Sequence, residues 1–115
     1  MPNLRFVVWM FMVGVLVLGA GVVSAQDYPN KPVRIITAGV GGGSDFTSRL
    51  IAQGLLPGLG QPVVVDNRNG SILASEAVSK APPDGYTLLV NGNSLWVIPL
   101  LQKVPYDAVR DFSPV

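Results

Sequence analysis

The stretch VRIITAGVGGGSDF, residues 33–46, sets the fold class of this 115-residue chain. Val33–Thr37 is short, β-branched and apolar on both sides, as a strand buried in a parallel sheet is. The glycine-rich run Gly39–Gly43 cannot continue that strand, because glycine adds backbone freedom and leaves nothing to pack. Asp45–Leu56 then has the apolar spacing of a helix. The stretch therefore predicts a strand, a glycine loop and a helix in succession.

The first helix has recognisable start and stop signals. Ser44 or Asp45 is a suitable N-cap, and Pro57-Gly58 is expected to close the helix. Arg49 and Gln53 are predicted to face outward. The apolar side chains that recur about every four residues, and are expected to pack inward, are Phe46, Leu50, Ile51 and Leu55.

The same alternation continues along the chain. A second buried strand starts at Val63 and ends at Asp66-Asn67, and Ser71 is expected to cap a helix over residues 72–80. A third strand covers residues 86–90, and a short helix interrupted by Pro99 follows. This order predicts an α/β fold built on a parallel β-α-β-α-β sheet unit. Right-handed crossovers would bring the loops after all three strands to one edge of the sheet.

Residues 1–25 have the organisation of a signal peptide. Arg5 gives the positive start, residues 6–23 are apolar, and Val23-Ser24-Ala25 places small residues where a signal peptidase cleaves, before Gln26. The alternative is an uncleaved N-terminal membrane anchor. In both cases the chain is exported. The predicted domains are a signal peptide with an N-terminal signal helix (1–25) and a partial binding lobe (26–115).

Composition excludes several classes of function. The sequence has no cysteine and no histidine, so it lacks thiolate nucleophiles, imidazole bases, and thiolate and imidazole metal ligands. After Ala25, seven basic residues balance seven acidic ones, and nothing resembles a phosphate-binding stripe. We therefore predict no enzyme activity, no catalytic residues, no metal, no cofactor and no nucleic-acid partner.

Two loops at the predicted sheet edge are candidate binding sites. The loop Gly39–Asp45 directs backbone N–H groups outward ahead of a helix N-terminus, which favours an anion. The loop Asn91–Ser94 offers short amides and a hydroxyl to a small polar ligand. Both also have a purely structural interpretation, as a flexible turn and a helix cap. Asp45 suits capping or holding the loop better than direct contact with a carboxylate.

The glycine loop also has an alternative interpretation. Gly39-x-Gly41-x-x-Ser44 is an incomplete dinucleotide fingerprint, and Asp66 lies about where a ribose-binding acid would be. A Rossmann-like fragment of an exported oxidoreductase therefore stays open at this point, as does a non-binding remnant or structural protein. A phosphate-binding P-loop is excluded, because no Gly-Lys-Ser/Thr follows the glycines.

Taken together, the segments after residue 27 resemble the substrate-binding receptors of tripartite tricarboxylate transporters, the Bug or TctC family. They occur in order and with family-like spacing over nearly all of 28–115. The segments are YPNKPVRII (28–36), GGGSDFTSRLIAQ (41–53), LGQPVVVDNR (59–68), ASEAVSKA (74–81), PDGYTLL (83–89) and PYDAVRDFSPV (105–115). The chain departs from the family at residues 38–40 and in the shorter loop after Arg68.

The resemblance implies a two-lobed periplasmic solute-binding protein that closes around a small carboxylate and delivers it to membrane transporter subunits. It implies that the chain is an N-terminal, truncated part of such a receptor, with impaired binding. Contact with the membrane is expected only through an uncleaved leader. The family's ligand-binding positions map onto Gly41, Gly42, Gly43, Ser44, Asp45, Asn93 and Ser94.

Overall fold

The computed structural model describes Asn3 and residues 27–115. Three strands alternate with three helices in this part of the chain, in the order predicted from the sequence. The strands are β1 (Val33–Thr37), β2 (Val63–Asn67) and β3 (Thr87–Val90), and the helices are α1 (Gly43–Leu59), α2 (Ser71–Ser79) and α3 (Ser94–Leu101). The predicted signal peptide and signal helix lie outside the described residues.

Strand β1 is the centre of a parallel three-stranded sheet with the order β2-β1-β3. Ile35 is aligned with Val65 on one side and with Leu88 on the other. Ile35 and Val33 are almost completely buried, since β1 is paired along both edges and helices pack against it. The predicted parallel α/β sheet is confirmed.

Helix α1 is longer than predicted at both ends. It starts at Gly43, with Gly42 as an N-cap that provides no side-chain hydrogen bond, so neither Ser44 nor Asp45 is the cap. At the other end the helix passes through Pro57 to Leu59. Pro57 has a helical φ but no N–H to donate, so the helix continues through it without the hydrogen bond that another residue would form there. Gly60, at φ 65°, ends the helix and donates its N–H to Leu56 O.

The packed face of α1 also differs from the prediction. Phe46 and Leu50 are more than half exposed, whereas Asp45 and Ser48 are buried. Ser48 lies on the face that meets β1 and β2, with its hydroxyl donating to Ser44 O. A small side chain lets the helix approach the sheet closely, which apolar spacing alone does not reveal. Phe46, Leu50 and Ile51 therefore remain on the outer surface, while Leu55 is partly buried as predicted.

Helices α2 and α3 pack against each other at the β3 side of the sheet. The N-cap of α2 is Gly70, so the predicted cap Ser71 is instead the first helical residue. Helix α3 runs through Pro99 rather than breaking there. Its outward face is strongly apolar, with Leu100 84% exposed and Leu101 79% exposed.

The segment before β1 is attached to the start of β3 by a cluster of tyrosines. Tyr28 and Tyr86 have ring centroids 5.0 Å apart, and the Asn30 N–H donates to Tyr86 Oη over 2.9 Å. Lys31 Nζ lies 4.4 Å from the centre of the Tyr86 ring, within cation–π range. Among residues 27–115, no helix has the length and apolar character needed to cross a membrane.

Candidate functional site

The carboxyl ends of the three strands lie side by side at one edge of the sheet, as right-handed crossovers predicted. Thr37, the last residue of β1, is aligned with Asn67 and with Val90. Its hydroxyl donates to Val90 O over 2.9 Å, and its own carbonyl accepts the Arg68 N–H over 2.8 Å. Neighbouring strands in a sheet lie about 4.8 Å apart. The two predicted binding loops therefore leave adjacent strands at one edge of the sheet.

The glycine loop presents free backbone donors at the start of α1. Within residues 27–115, the N–H groups of Gly43, Ser44 and Asp45 have no hydrogen-bond acceptor, because they precede the first helical bond, from Phe46 N–H to Gly42 O. Such first-turn donors, together with the helix dipole, favour an anion. Gly43 is exposed and Ser44 is partly buried, whereas Asp45 is buried, so the Gly43 and Ser44 donors are the more accessible ones.

Of the four glycines in the loop, only Gly41 has a backbone conformation that favours glycine. Gly41 has φ +87°, where other residues are strained. A Cβ at Gly39 or Gly43 would meet no atom within 4 Å, and one at Gly42 would lie 3.7 Å from Gly39 O, an ordinary contact. Within the part of the chain that the structure describes, the atoms around Gly39, Gly42 and Gly43 would therefore leave room for a side chain. Glycine there leaves space above the donors.

Asp45 is turned inward and holds the loop closed. Its Oδ2 accepts the Gly41 N–H over 3.0 Å, and its Oδ1 accepts from Asn67 Nδ2 over 2.8 Å. The Gly41 N–H, followed by Asn67, holds the pKa of the Asp45 carboxyl at about 2, well below its usual value and against the opposing effect of burial. The carboxylate is therefore ionised at neutral pH, with its oxygens directed to the loop and to β2.

Arg49 and Asn67 complete this arrangement, and the sequence analysis identified neither as part of the site. Arg49 faces outward as predicted, with its side chain 52% exposed, and its Nε also lies 3.1 Å from Asp45 Oδ1. Asn67 also donates to Ala38 O over 2.9 Å, which connects β2 to the glycine loop. The four-residue spacing of Asp45 and Arg49 on one helix was the available signal. Nothing local in the sequence pointed to Asn67.

The second loop is organised by Asn91. Its Nδ2 lies 2.7 Å from Ser71 Oγ and 3.0 Å from Ser75 Oγ, while its Oδ1 accepts from the Gly92 N–H and from Ser94 Oγ. The predicted site residue Ser94 thus belongs to a hydroxyl cluster with Ser71, at an Oγ–Oγ distance of 2.7 Å. We call Ser71, Ser75, Asn91 and Ser94 the Asn91 cluster.

The remaining predicted site residues are exposed or only partly buried. Asn93 is exposed and acts as the N-cap of α3 through its carbonyl, without a side-chain capping bond. Ser44 is in the first turn of α1, and its carbonyl accepts from Ser48. The structure thus groups the predicted residues at one sheet edge, in two loops on adjacent strands.

Asp66 forms ion pairs with two arginines. Its Oδ2 lies 2.7 Å from an Arg34 nitrogen and 3.0 Å from an Arg68 nitrogen. A ribose-binding acid accepts hydrogen bonds from sugar hydroxyls, whereas the Oδ2 of this carboxylate is engaged by two arginines. No observation at this position supports the dinucleotide alternative. Within residues 27–115, no three acidic side chains converge as a metal site would require.

Comparison with known proteins gives a consistent set of relatives. The family model described as tripartite tricarboxylate transporter family receptor matches residues 47–115. A UPF0065 protein of Bordetella bronchiseptica is 45% identical over 105 residues, covering 87% of this chain and 31% of the relative. Protein BugT of Bordetella pertussis is 37% identical over 113 residues, covering 90% of this chain and 35% of BugT. The chain therefore spans about a third of the length of these relatives.

Solved structures agree with the fold. A periplasmic transporter structure superposes with a TM-score of 0.66 at 35% identity, over 72% of this chain and 30% of that one. The R. palustris protein Rpa4515 with adipate gives a TM-score of 0.57 at 35% identity, over 59% of this chain and 24% of that one. The family match starts two residues after Asp45, so it does not include the glycine loop.

Proposed function

This chain belongs to the tripartite tricarboxylate transporter receptor family, as the resemblance predicted, and from that premise we propose that it binds a small organic acid in the periplasm. In this proposal a carboxylate of the ligand lies against the glycine loop, and full-length members deliver such ligands to membrane transporter subunits. The relatives are receptors and binding proteins, which favours a role without catalysis.

One observation carries the proposal. The first-turn N–H groups of α1 have no acceptor among the described residues, and they lie next to glycines at which a side chain would meet no close neighbour. Gly43, Ser44 and Asp45 supply donors but no acceptor at this position. A carboxylate accepts hydrogen bonds from such N–H groups and needs no cationic side chain beside it, as other anions at helix N-termini show. An added methyl group at Gly43 would stand where the anion must approach.

Asp45 has a supporting role in this proposal. Its negative charge is balanced by Arg49 and its oxygens are engaged by Gly41 and Asn67, so it repels an incoming carboxylate less than a free acid would. We assign its side chain to positioning of the loop. Ligand contacts are assigned to Gly41, Gly42, Gly43 and Ser44, with Asn93 and Ser94 opposite them on the neighbouring loop.

The expected affinity is weak. The glycine loop is exposed, so water competes for each donor, and exposed charge-assisted contacts contribute little. We expect dissociation constants on the order of millimolar for the described residues alone.

The test is an amide NMR titration of the purified chain with acetate, succinate and adipate, and with acetamide as the neutral control. The acids are expected to shift the amides of Gly43, Ser44 and Asp45, and acetamide is expected not to. Acids that leave these three amides unchanged at tens of millimolar (about ten times the expected constant) would contradict the proposal.

A pair of matched variants separates ligand contact from general disturbance. Gly43→Ala and Gly54→Ala both add a methyl group where no atom lies within 4 Å, and both positions are on α1. Gly43→Ala is expected to reduce carboxylate binding at least about fivefold, because it obstructs the approach to a donor set worth about 1 kcal/mol or more. Gly54→Ala is expected to bind like the parent chain, and equal losses in both variants would refute the assignment.

A further inference from the structure

We propose that the outer edge of β3 and the outward side of α3 form one surface that binds a second copy of this chain. We call Thr87–Val90 together with Trp96, Val97, Leu100 and Leu101 the β3 surface. In the proposed dimer the two β3 strands pair antiparallel about a two-fold axis, and the apolar side chains of α3 are buried against the other copy. This interface is independent of the proposed carboxylate site, because the glycine loop takes no part in it.

The outer edge of β3 carries backbone groups that the described fold leaves unpaired. The Arg34 N–H bonds to Tyr86 O, so alternate residues of β3, starting with Tyr86, direct their backbone groups to β1. The N–H and C=O groups of Thr87 and Leu89 therefore point away from β1, and within residues 27–115 no strand lies beyond them. A partner that excludes water from this edge has to supply hydrogen bonds in return. This requirement favours a polypeptide strand over a lipid or a small apolar molecule.

The helix that follows β3 adds an exposed apolar stripe on the same side of the sheet. Trp96, Val97, Leu100 and Leu101 are between 43% and 84% exposed. Their spacing places them on one face of α3, whereas Leu95, on another face, is buried. Four large side chains at these exposures present on the order of 400–500 Å² of apolar surface, which is the size of patches that mark interaction sites.

The available area is sufficient for a weak dimer. With the edge of β3 included, two copies would together bury on the order of 1,000 Å², the lower limit for a specific interface. Pairing Thr87 of each copy with Leu89 of the other adds about four backbone hydrogen bonds. We therefore expect a reversible dimer with a dissociation constant on the order of tens of micromolar.

The distribution of charge favours a second copy over a different polypeptide. Residues 85–102, which contain both β3 and α3, include no charged side chain. A two-fold interface brings the same patch of both copies together, so a charge within it would face a like charge. The residues after Ala25 are also balanced, with seven basic and seven acidic side chains, so two copies do not repel each other through net charge. A partner recognised by opposite charge would find no charged group on this surface.

The other edge of the sheet does not offer an equivalent surface. Asp66 on β2 forms ion pairs with Arg34 and Arg68, and both arginine side chains are more than 40% exposed. Charged side chains at an edge strand oppose pairing with another sheet. Association through β3 alone closes at two copies, whereas association through both edges would continue into a filament.

Sedimentation velocity of the purified chain, from about tenfold below to tenfold above the expected dissociation constant, tests the proposal. We expect a shift from monomer to dimer and no larger species. Leu100→Glu and Val109→Glu are matched variants, because each adds one negative charge at a side chain that is 84% or 78% exposed. Leu100→Glu should weaken the dimer at least about tenfold, since it places like charges in the interface, and Val109→Glu should not. Equal association in both variants, as the apolar residues 6–23 would produce, would overturn the proposal.

A second pair of variants tests the strand pairing. Thr87→Pro and Val63→Pro each replace the first residue of an edge strand, and each removes an N–H that points away from β1. Thr87→Pro should weaken the dimer at least about fivefold, because one hydrogen bond is lost from each copy, and Val63→Pro should not. Equal weakening in both would contradict pairing through β3. A parent chain that stays monomeric at the highest concentration would overturn the proposal and assign the β3 surface to a different partner. If the proline variants do not fold, the comparison of Leu100→Glu with Val109→Glu decides alone.

Discussion

Two glycines two residues apart are expected to respond in opposite ways to the same substitution. Gly41 has φ +87°, a conformation that alanine adopts only with strain, whereas Gly43 is the first residue of α1 and has open space at its Cβ position. Neither substitution removes a hydrogen bond, because the Gly41 N–H that Asp45 accepts is retained in alanine. The comparison therefore isolates backbone conformation.

The magnitudes follow from the two conformations. A left-handed conformation costs a non-glycine residue about 1–2 kcal/mol, partly offset by the lower entropy of the unfolded chain, so Gly41→Ala should destabilise by about 1 kcal/mol. Gly43→Ala gains helix propensity and loses unfolded-state entropy, so it should stabilise by about 0.5–1 kcal/mol. The variants should differ by roughly 2 kcal/mol, or about 8–16 °C in melting temperature for a domain of this size.

Circular dichroism at 222 nm during urea and thermal unfolding measures both values, with Gly54→Ala as a mid-helix reference. The reasoning is refuted if the two variants have the same midpoint, or if Gly43→Ala is the less stable. Together with the titration described above, Gly43→Ala becomes a variant that folds better and binds worse. That combination is hard to explain by misfolding.

Three further predictions concern acid sensitivity, the core and the outer surface. Because the pKa of Asp45 is lowered to about 2 in the folded chain from 3.8, its stabilising effect is fully present above pH 3.8 and is lost as the pH falls through about 2. Urea unfolding at several pH values should therefore show that the free energy of unfolding falls less between pH 4 and 2 in Asp45→Asn than in the parent chain. Part of the remaining fall comes from Asp107, whose pKa is lowered by the backbone N–H groups of Arg110 and Val109. The same pH dependence in both chains would contradict this prediction. Ile35→Ala should cost about 2–5 kcal/mol because Ile35 is fully buried in the central strand, and a dispersed amide spectrum with unchanged unfolding midpoint would be the contrary result. Leu100→Glu should change stability by less than about 0.5 kcal/mol, since Leu100 is 84% exposed. A large fall in melting temperature would show that the side chain is packed.

The strands were predictable because their signal is local. Val33–Thr37 is a run of β-branched and apolar residues, and its bounds match the prediction. The parallel arrangement followed from the alternation of strands with helices. The edge that carries both loops followed from crossover handedness, so the Gly41–Asp45 and Asn93–Ser94 regions were placed together without coordinates.

The contacts within the site were not predictable in the same way. Asn67 reaches Asp45 and Ala38 only because β1 and β2 are aligned residue by residue, and no sequence spacing encodes that register. The face of α1 was misjudged for a related reason. Large apolar residues such as Phe46 and Leu50 dominate a periodicity, but close packing on the sheet favoured the smaller Ser48.

The central position of β1 has a consequence for how the chain folds. Its partners come from distant parts of the sequence, with Val33 paired to Val63 and Arg34 paired to Thr87, 53 residues later. Contacts of such high sequence separation slow folding, because loop closure must precede the gain from pairing. A growing chain therefore keeps both edges of β1 unpaired until β2 and then β3 have been synthesised. The three-stranded sheet can therefore be completed only after the chain has been synthesised as far as Val90, the end of β3.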